Sequence, residues 1–151
     1  MFELPVSQRS AWDESVIEQF LKDTVIPLRI SVNDKDGFPL ICSLWYYYHN
    51  KNIYCATSSG SRVCDLLMQD GRCAFEVAPD SPPYRGVRGQ ANVTINYSIG
   101  KEVLKQLITR YLGNTHSSLA KWLLSRVESE VSLILKPVWI SSWDYTDRMN
   151  G

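Results

Sequence analysis

The sequence predicts a single mainly β (α+β) domain in which helices flank a small antiparallel barrel. Five or six segments show the alternating or continuously apolar pattern of strands. Short turns rich in glycine, asparagine and aspartate join most of them, as in β-hairpins. Few helical segments remain to connect parallel strands, and neither a GxGxxG pattern nor a Walker loop occurs. These observations favour a barrel of hairpins over a nucleotide-binding parallel sheet.

The length and charge of the chain limit its class. Its 151 residues suit one domain, 1–151, with a substantial core. The 16 lysines and arginines balance the 16 aspartates and glutamates, so no overall field favours nucleic acid or an anionic membrane surface. No apolar run reaches the roughly 20 residues that span a bilayer. The acidic start is unlike a signal peptide. We therefore expect a cytoplasmic protein with no nucleic-acid or membrane partner.

The cysteines do not predict a metal site, because none of them forms a C-x-x-C pair. The four are Cys42, Cys55, Cys64 and Cys73. If a hairpin turns near residues 50–51, Cys55 lies opposite Tyr46 and Cys42 lies opposite about Ser59, so these two thiols do not face each other. We expect buried free thiols, which agrees with a reducing compartment.

The chain begins with a predicted amphipathic helix. Residues 12–25 have helical apolar spacing, Asp13 or Ser15 can cap the start, and Pro27 closes the end. The apolar stripe consists of Val16, Ile17, Phe20, Leu21 and Val25.

Strands and further helices follow. Residues 28–32 alternate as a strand, and a turn in which Gly37 adopts positive φ leads to residues 40–48. That strand is apolar or aromatic on both faces, so we expect it to be covered on both sides. The later predicted elements are strand 53–57, helix 63–68, strands 72–78 and 84–97, helices 99–112 and 117–126, and strand 131–135. Gly113 stops the first helix of the late pair. Pro137 is expected to break the last strand, and residues 138–143 are a candidate extension of it.

The segment TSSGSR at residues 57–62 is the strongest candidate binding site. Four hydroxyls, a glycine and the guanidinium of Arg62 lie where a strand ends and a helix begins. Free backbone N–H groups at a helix start, hydroxyls and an arginine together suit a phosphate. The alternative is an ordinary serine cap beside a solvated arginine.

Other candidate residues point less clearly to a function. Arg85 and Arg88 form a second basic cluster, or else lie on the solvent face of a strand. The WDY sequence at residues 143–145 is either a stacking platform or a hydrophobic plug. No G-x-S-x-G elbow, histidine beside a nucleophile or carboxylate pair identifies a catalytic residue. If the chain is an enzyme, a cofactor supplies the chemistry.

Four stretches together resemble the pyridoxamine 5'-phosphate oxidase-like family of FMN-binding split barrels. In order they are GFPL with LW at residues 37–45, ATSSGSR at 56–62, PYRGVRG at 83–89, and KP with WDY at 136–145. The resemblance covers roughly residues 25–145 and implies a six-stranded split barrel that forms a homodimer with a flavin in each of two clefts between the subunits.

The resemblance also implies the site residues. Residues Cys42, Ser43, Leu44 and Trp45 would line the flavin ring system, largely through backbone groups. Thr57, Ser58, Ser61 and Arg62 would hold the ribityl and phosphate end. Trp143 would pack near the ring from the partner chain, with Arg85 and Arg88 close by.

The sequence departs from the family pattern at several positions. Val63 stands where family members commonly have a lysine after Ser-Arg, so a Val63→Lys exchange is expected to tighten FMN if the missing lysine is the only defect. Cys42 stands where the oxidase proper has an arginine, and the tail lacks its Arg-Leu-His-Asp-Arg pattern. Oxidation of pyridoxamine phosphate is therefore not expected.

The sequence and the resemblance are compatible with two functions. The first is an FMN-dependent oxidoreductase that acts on a small planar acceptor, with a deazaflavin as the alternative cofactor. The strand 45–48, WYYY, would supply part of the acceptor pocket, or else only barrel core. The second is a non-catalytic protein that binds or senses a flavin, haem or metabolite on the same barrel.

Overall fold

The computed structural model describes residues 3–150, which form one antiparallel sheet of seven strands with five α-helices around it. Along the chain the elements are α1 (Glu14–Asp23), β1 (Leu28–Asn33), β2 (Pro39–Leu44), β3 (Tyr46–His49), β4 (Asn52–Ser58), α2 (Arg62–Gln69), β5 (Arg72–Val77), β6 (Arg85–Asn96), α3 (Gly100–Leu112), α4 (Ser118–Ser125), a 3-10 turn (Val127–Ser129), β7 (Glu130–Asp144) and α5 (Thr146–Met149). The strand order in the sheet is β2-β1-β5-β6-β7-β4-β3.

The two edge strands of the sheet are consecutive in the chain. β2 pairs with β1, β3 pairs with β4, and only Trp45 separates β2 from β3. The sheet therefore curls until its edges meet at Trp45. If β2 and β3 are counted as one segment interrupted at Trp45, six extended segments form the barrel. The predicted fold class is confirmed, whereas the strand expected over residues 40–48 is divided in two.

A tyrosine from α3 stabilises this division. The backbone N–H of Tyr46 donates to the hydroxyl of Tyr111 at 3.1 Å, and that hydroxyl lies 2.8 Å from the carbonyl oxygen of Ile26. The rings of Trp45 and Tyr111 stack with their centroids 4.9 Å apart. The backbone polar groups at the break are thus satisfied by α3, which fixes Trp45 at the seam of the barrel.

The expectation that residues 40–48 are covered on both faces is not met within one chain for β2. Ile41 is 66% exposed and Ser43 is also exposed, because no element within residues 3–150 covers this side of β2. Cys42 pairs with Ile30 across β1 rather than facing Ser59, since the seam redirects the strand. The predicted pairing of Cys55 with Tyr46 is confirmed.

Pro137 does not break the last strand. β7 is continuous through Pro137, and its register with β6 shifts between Gln90 and Ala91, where Val138 is the extra residue. A β-bulge tolerates a proline because the local ladder bond is already lost. One long strand therefore replaces the predicted strand and extension.

Helix α1 is shorter than predicted and is capped at both ends. Asp13 accepts a hydrogen bond from the N–H of Val16, which settles the choice of cap. The guanidinium of Arg110, from α3, donates to the carbonyl oxygens of Leu21, Lys22 and Thr24 at 2.8–3.1 Å and ends the helix before Pro27. Two members of the predicted apolar stripe, Val16 and Val25, are exposed.

The barrel interior contains the main hydrophobic core. The residues buried most completely include Ile17 and Leu21 of α1, Tyr46, Ile53, Leu133 and Leu135. Cys55, Cys64 and Cys73 are buried and Cys42 is half-buried. Within residues 3–150, every helix is too short or too polar to cross a membrane.

Candidate functional site

A cleft of about 380 Å³ opens at the barrel seam. Its floor is formed where the end of β2 meets the end of β4, and α3 and α4 form the opposite wall. Five predicted site residues line it: Ser43, Leu44, Trp45, Thr57 and Ser58. The structure thus brings together residues 43–45 and 57–58, two of the predicted site segments, which the sequence separates by more than ten positions. Cys42 lies outside the lining, and burial against the core raises the pKa of its thiol.

In the loop after β4, some hydrogen-bond donors already have an acceptor and others remain available to a ligand. Ser61 caps α2 by accepting from the N–H of Cys64, and its oxygen also lies 3.0 Å from the Thr57 hydroxyl. The N–H groups of residues 59–61 bond within the loop or to Ser129. Among the described residues, the N–H groups of Arg62 and Val63 have no acceptor, and the exposed Arg62 side chain has no partner. Two amides and one guanidinium therefore remain for an anion at the start of α2.

The side chain of Val63 does not face this anion position. It is only 6% exposed and belongs to the barrel core beside Leu66 and Leu67. A lysine at position 63 would be buried rather than presented to a phosphate, so the structure gives no reason to expect that Val63→Lys tightens FMN.

The wall formed by α3 and α4 was not assigned to the site from the sequence. Its apolar part consists of Leu104 and Leu107 from α3 and Leu119 and Leu123 from α4. A second core cluster of Leu104, Ile108 and Ala120 packs these helices against Trp45 and Ala56. The apolar face of the predicted helix 99–112 indicated that the helical pair either caps a cleft or widens a dimer contact, but it did not show which surface it covers.

Two charged residues complete this wall. Arg126, after α4, lines the cleft and its guanidinium lies 5.1 Å from the centre of the Trp122 ring. Glu130, at the start of β7, lines the cleft and is the cross-strand partner of Ser58. Burial raises the pKa of the Glu130 carboxyl, and the positive charge of Arg126 partly opposes the increase.

The remaining predicted residues lie at the opposite end of β7. Arg85 pairs with Asp144, and the Arg88 guanidinium lies 5.0 Å from the centre of the Trp143 ring. Thr57 pairs with Val131. Residues 131 and 143 are about 40 Å apart along a strand of this length. Within one chain, Arg85, Arg88 and Trp143 therefore do not line the cleft at the seam.

Between these two regions lies a partly apolar surface, here called the outer face. It consists of the outward side chains of five adjacent strands: Ile41, Ser43, Arg29, Ser31, Ala74, Glu76, Arg88, Gln90 and Trp139. Ile41 and Trp139 are exposed hydrophobic residues. The concavity on this face measures about 380 Å³ and adjoins the seam through β2.

A larger concavity of about 920 Å³ lies between α1 and the β3–β4 turn. Three of its charged groups bond to each other, since Lys51 Nζ lies 2.7 Å from Glu14 and 3.0 Å from Glu18, and Tyr48 donates to Glu18 at 2.6 Å. Burial alone would raise the pKa of Glu18, but the bonds from Tyr48 and Lys51 outweigh it and lower that pKa. We interpret this open groove as a structural ion-pair network that attaches α1 to the barrel.

No protein-family model and no curated protein matches the sequence. Solved structures do match the fold. A conserved hypothetical protein from Mycobacterium tuberculosis has a TM-score of 0.79 at 18% identity, over 99% of this chain and 93% of that chain. An F420 reductase has a TM-score of 0.70 at 15% identity, over 82% and 94% of the two chains.

A third structure carries the family name that the sequence motifs suggested. A candidate pyridoxamine 5'-phosphate oxidase from Listeria innocua has a TM-score of 0.59 at 13% identity, over 87% of this chain and 94% of that chain. Identities this low establish the fold and not the activity. The chain therefore has the split-barrel fold of the pyridoxamine 5'-phosphate oxidase-like proteins.

Proposed function

We propose that this protein is a cytoplasmic, homodimeric, flavin-dependent oxidoreductase that binds FMN in the cleft at the barrel seam. In this proposal Ser43, Leu44 and Trp45 border the ring system. Thr57, Ser58 and the start of α2 hold the ribityl and phosphate end. When bound, a flavin supplies hydride and single-electron chemistry, whereas the chain supplies binding, orientation and shelter from water.

One observation carries the proposal: the predicted site residues divide into two groups that a single chain keeps apart. The first group lines the seam, near two amides and the guanidinium of Arg62, for which residues 3–150 supply no partner. The second group, Arg85, Arg88 and Trp143, lies at the far end of β7. A two-fold dimer that packs outer face against outer face would bring the second group of one chain toward the cleft of the other.

The exposed apolar residues of the outer face support this arrangement. Ile41 and Trp139 belong to a surface that continues to Ser43 at the cleft. These two side chains lie at the ends of one cross-strand row, with Ser31, Ala74 and Gln90 between them, and both line the same concavity. Exposed large apolar side chains with polar neighbours favour an interface. The F420 reductase among the structural neighbours is the reason to test a deazaflavin beside FMN.

A second candidate function is non-catalytic binding of a flavin, haem or metabolite. The hydroxyl of Ser61 and the loop amides of residues 59–61 are already bonded, and Val63, where the family pattern has a lysine, lies in the core. Because fewer donors are free, the affinity for a phosphate should be lower than in a loop whose hydroxyls and amides are all available. Glu130 and Arg126 are the only ionisable side chains in the described lining, so few acid–base groups are available for catalysis.

The visible spectrum of the purified protein and an FMN titration test both candidates. The first function predicts a yellow protein whose flavin bleaches when reduced nicotinamide is added. A yellow protein that does not bleach favours the second. A colourless protein that binds neither FMN nor a deazaflavin contradicts the flavin assignment.

The Arg62→Ala variant tests the anion position itself. We expect FMN affinity to fall about tenfold or more, since a charge-assisted contact contributes about 1.5–3 kcal/mol. Lys35→Ala removes an exposed positive charge in the turn between β1 and β2, at the opposite end of β2 from Trp45, and should leave the affinity unchanged. Equal FMN affinity in the wild-type protein and the Arg62→Ala variant would refute the role of the loop.

A further inference from the structure

The wall of the cleft formed by α3 and α4 is apolar except at one end. Leu104, Leu107, Leu119 and Leu123 contribute only hydrocarbon to it. The charged end consists of Arg126 and Glu130. Small-molecule pockets usually combine an apolar lining with a few polar groups, as this wall does. The aromatic part of a ligand would contact the leucines while its polar substituent reached the charged end.

Glu130 is the hydrogen-bond acceptor at this end, and its carboxylate oxygens still reach solvent. It is half-buried, and within the described part of the chain its carboxylate accepts no hydrogen bond and forms no ion pair. An ionised carboxylate has about four acceptor positions. Holding them partly away from water without donors is unfavourable. A ligand that brings a donor to Glu130 would remove this penalty.

Arg126 does not satisfy Glu130. Its guanidinium lies over the Trp122 ring and is exposed, and it is not within ion-pair distance of the carboxylate. Its charge favours the ionised form of Glu130 from a distance. The neighbouring acid in the 3-10 turn, Glu128, is exposed and does not line the cleft.

The backbone of Glu130 is held firmly in place. A Cβ added to Gly100, the first residue of α3, would lie 2.1 Å from the carbonyl oxygen of Glu130. On its other side Glu130 is paired with Ser58 in the β4–β7 ladder. The carboxylate therefore projects from a fixed position beside the proposed ribityl-end residues.

We propose that Glu130 makes this end of the cleft a subsite for a small aromatic molecule that carries a protonated or N–H-bearing nitrogen. This proposal adds a binding site at one end of the cleft described above, and it does not depend on the proposed function. The leucines contact the ring, and Glu130 accepts the hydrogen bond from nitrogen.

Benzamidine, benzamide and benzoate are suitable probes, because they share a benzene ring and carry a positive, a neutral and a negative substituent respectively. Their dissociation constants are measured on the full chain from backbone amide chemical shifts, first alone and then with FMN. We expect benzamidine to bind about tenfold more tightly than benzoate, the contribution of one charge-assisted hydrogen bond. Benzamide should lie between them. The shifts should concentrate at residues 56–58 and 104–130.

Glu130→Gln should abolish the preference for benzamidine over benzoate, and the matched Glu128→Gln should retain it. A preference that survives in Glu130→Gln, or that is absent from the wild-type protein, would overturn the proposal. Shifts that fall outside the cleft would do the same.

The two proposals can fail separately. If benzamidine is preferred over benzoate in a Glu130-dependent manner by a protein that does not bind FMN, the subsite is supported and the cofactor assignment is wrong. If FMN binds with an Arg62-dependent affinity but no probe prefers Glu130, the cofactor assignment stands and the subsite falls.

Discussion

At the scale of single residues, side-chain direction decides what each position of the binding loop can do. Ser61 uses its hydroxyl to cap α2, Arg62 projects into solvent, and Val63 turns into the barrel core. Three consecutive residues thus have three different surroundings. The sequence identified the cluster correctly as the start of a helix, but the direction of each side chain depends on how α2 lies on the barrel.

The buried position of Val63 gives a stability prediction. Val63→Lys should destabilise the protein by about 2–4 kcal/mol, because an ammonium group would enter an apolar core without a partner. Met68→Lys is the matched control on the same helix, since Met68 is 62% exposed, and it should change stability by less than about 0.5 kcal/mol. Urea unfolding measures both. Equal midpoints for the two variants would show that residue 63 does not face the core.

At the scale of elements, α3 connects three parts of the molecule. Tyr111 bonds to the backbone at the seam, Arg110 caps α1, and Leu104 and Leu107 form one wall of the cleft. The Arg110 guanidinium also lies 5.2 Å from the centre of the Tyr46 ring, whose hydroxyl donates to the same turn of α1. Displacement of α3 should therefore affect the cleft and the core together.

The start of α3 provides the test of this connection. Gly100→Ala should destabilise the protein by about 1–3 kcal/mol, because the added methyl group would overlap the backbone of Glu130 and push α3 from β7. Gly60→Ala is the control, since a Cβ there meets nothing closer than 4.0 Å. Thermal unfolding of both variants provides the comparison. An unchanged melting temperature for Gly100→Ala would show that α3 is not held tightly against β7.

The bounds of the helices and strands also show how much of the fold could be predicted from local sequence patterns. Most helices and strands were predicted to within a few residues, because apolar periodicity, serine and aspartate caps, and Gly37 and Gly113 act locally. The division at Trp45 was missed because it results from barrel closure and from Tyr111, which is 66 positions away in sequence. The continuity of β7 through Pro137 was missed because the bulge depends on its register with β6.

At the scale of the whole molecule, the site is divided between two ends of one long strand. The seam cleft lies at the start of β7, and Arg88 with Trp143 lies near its end. The sequence alone suggested both groups by family resemblance, whereas their separation follows only from the sheet topology. The sequence did not assign α3, α4 or Glu130 to the site, because the residues of a cleft wall come from elements whose docking is tertiary.

The outer face gives the corresponding assembly prediction. Ile41→Asp should convert a dimer to a monomer, because an isolated charge would be buried at the proposed interface. Lys105→Asp changes an exposed residue of α3 away from the outer face and should leave the mass unchanged. Light scattering after size exclusion gives the mass of each variant. A wild-type protein that is monomeric at every concentration would contradict the proposed assembly.

A mixing experiment tests most directly the central claim that each cofactor site contains residues from two chains. Arg62→Ala damages the seam half of a site, and Trp143→Ala, or Arg88→Ala if the first variant fails to fold, damages the other half. When the two variants exchange subunits, about a quarter of all sites should be intact, the statistical share for a two-fold dimer. We predict that FMN titration of the mixture recovers this fraction with wild-type affinity. A mixture that behaves as the sum of its two damaged components would contradict the account.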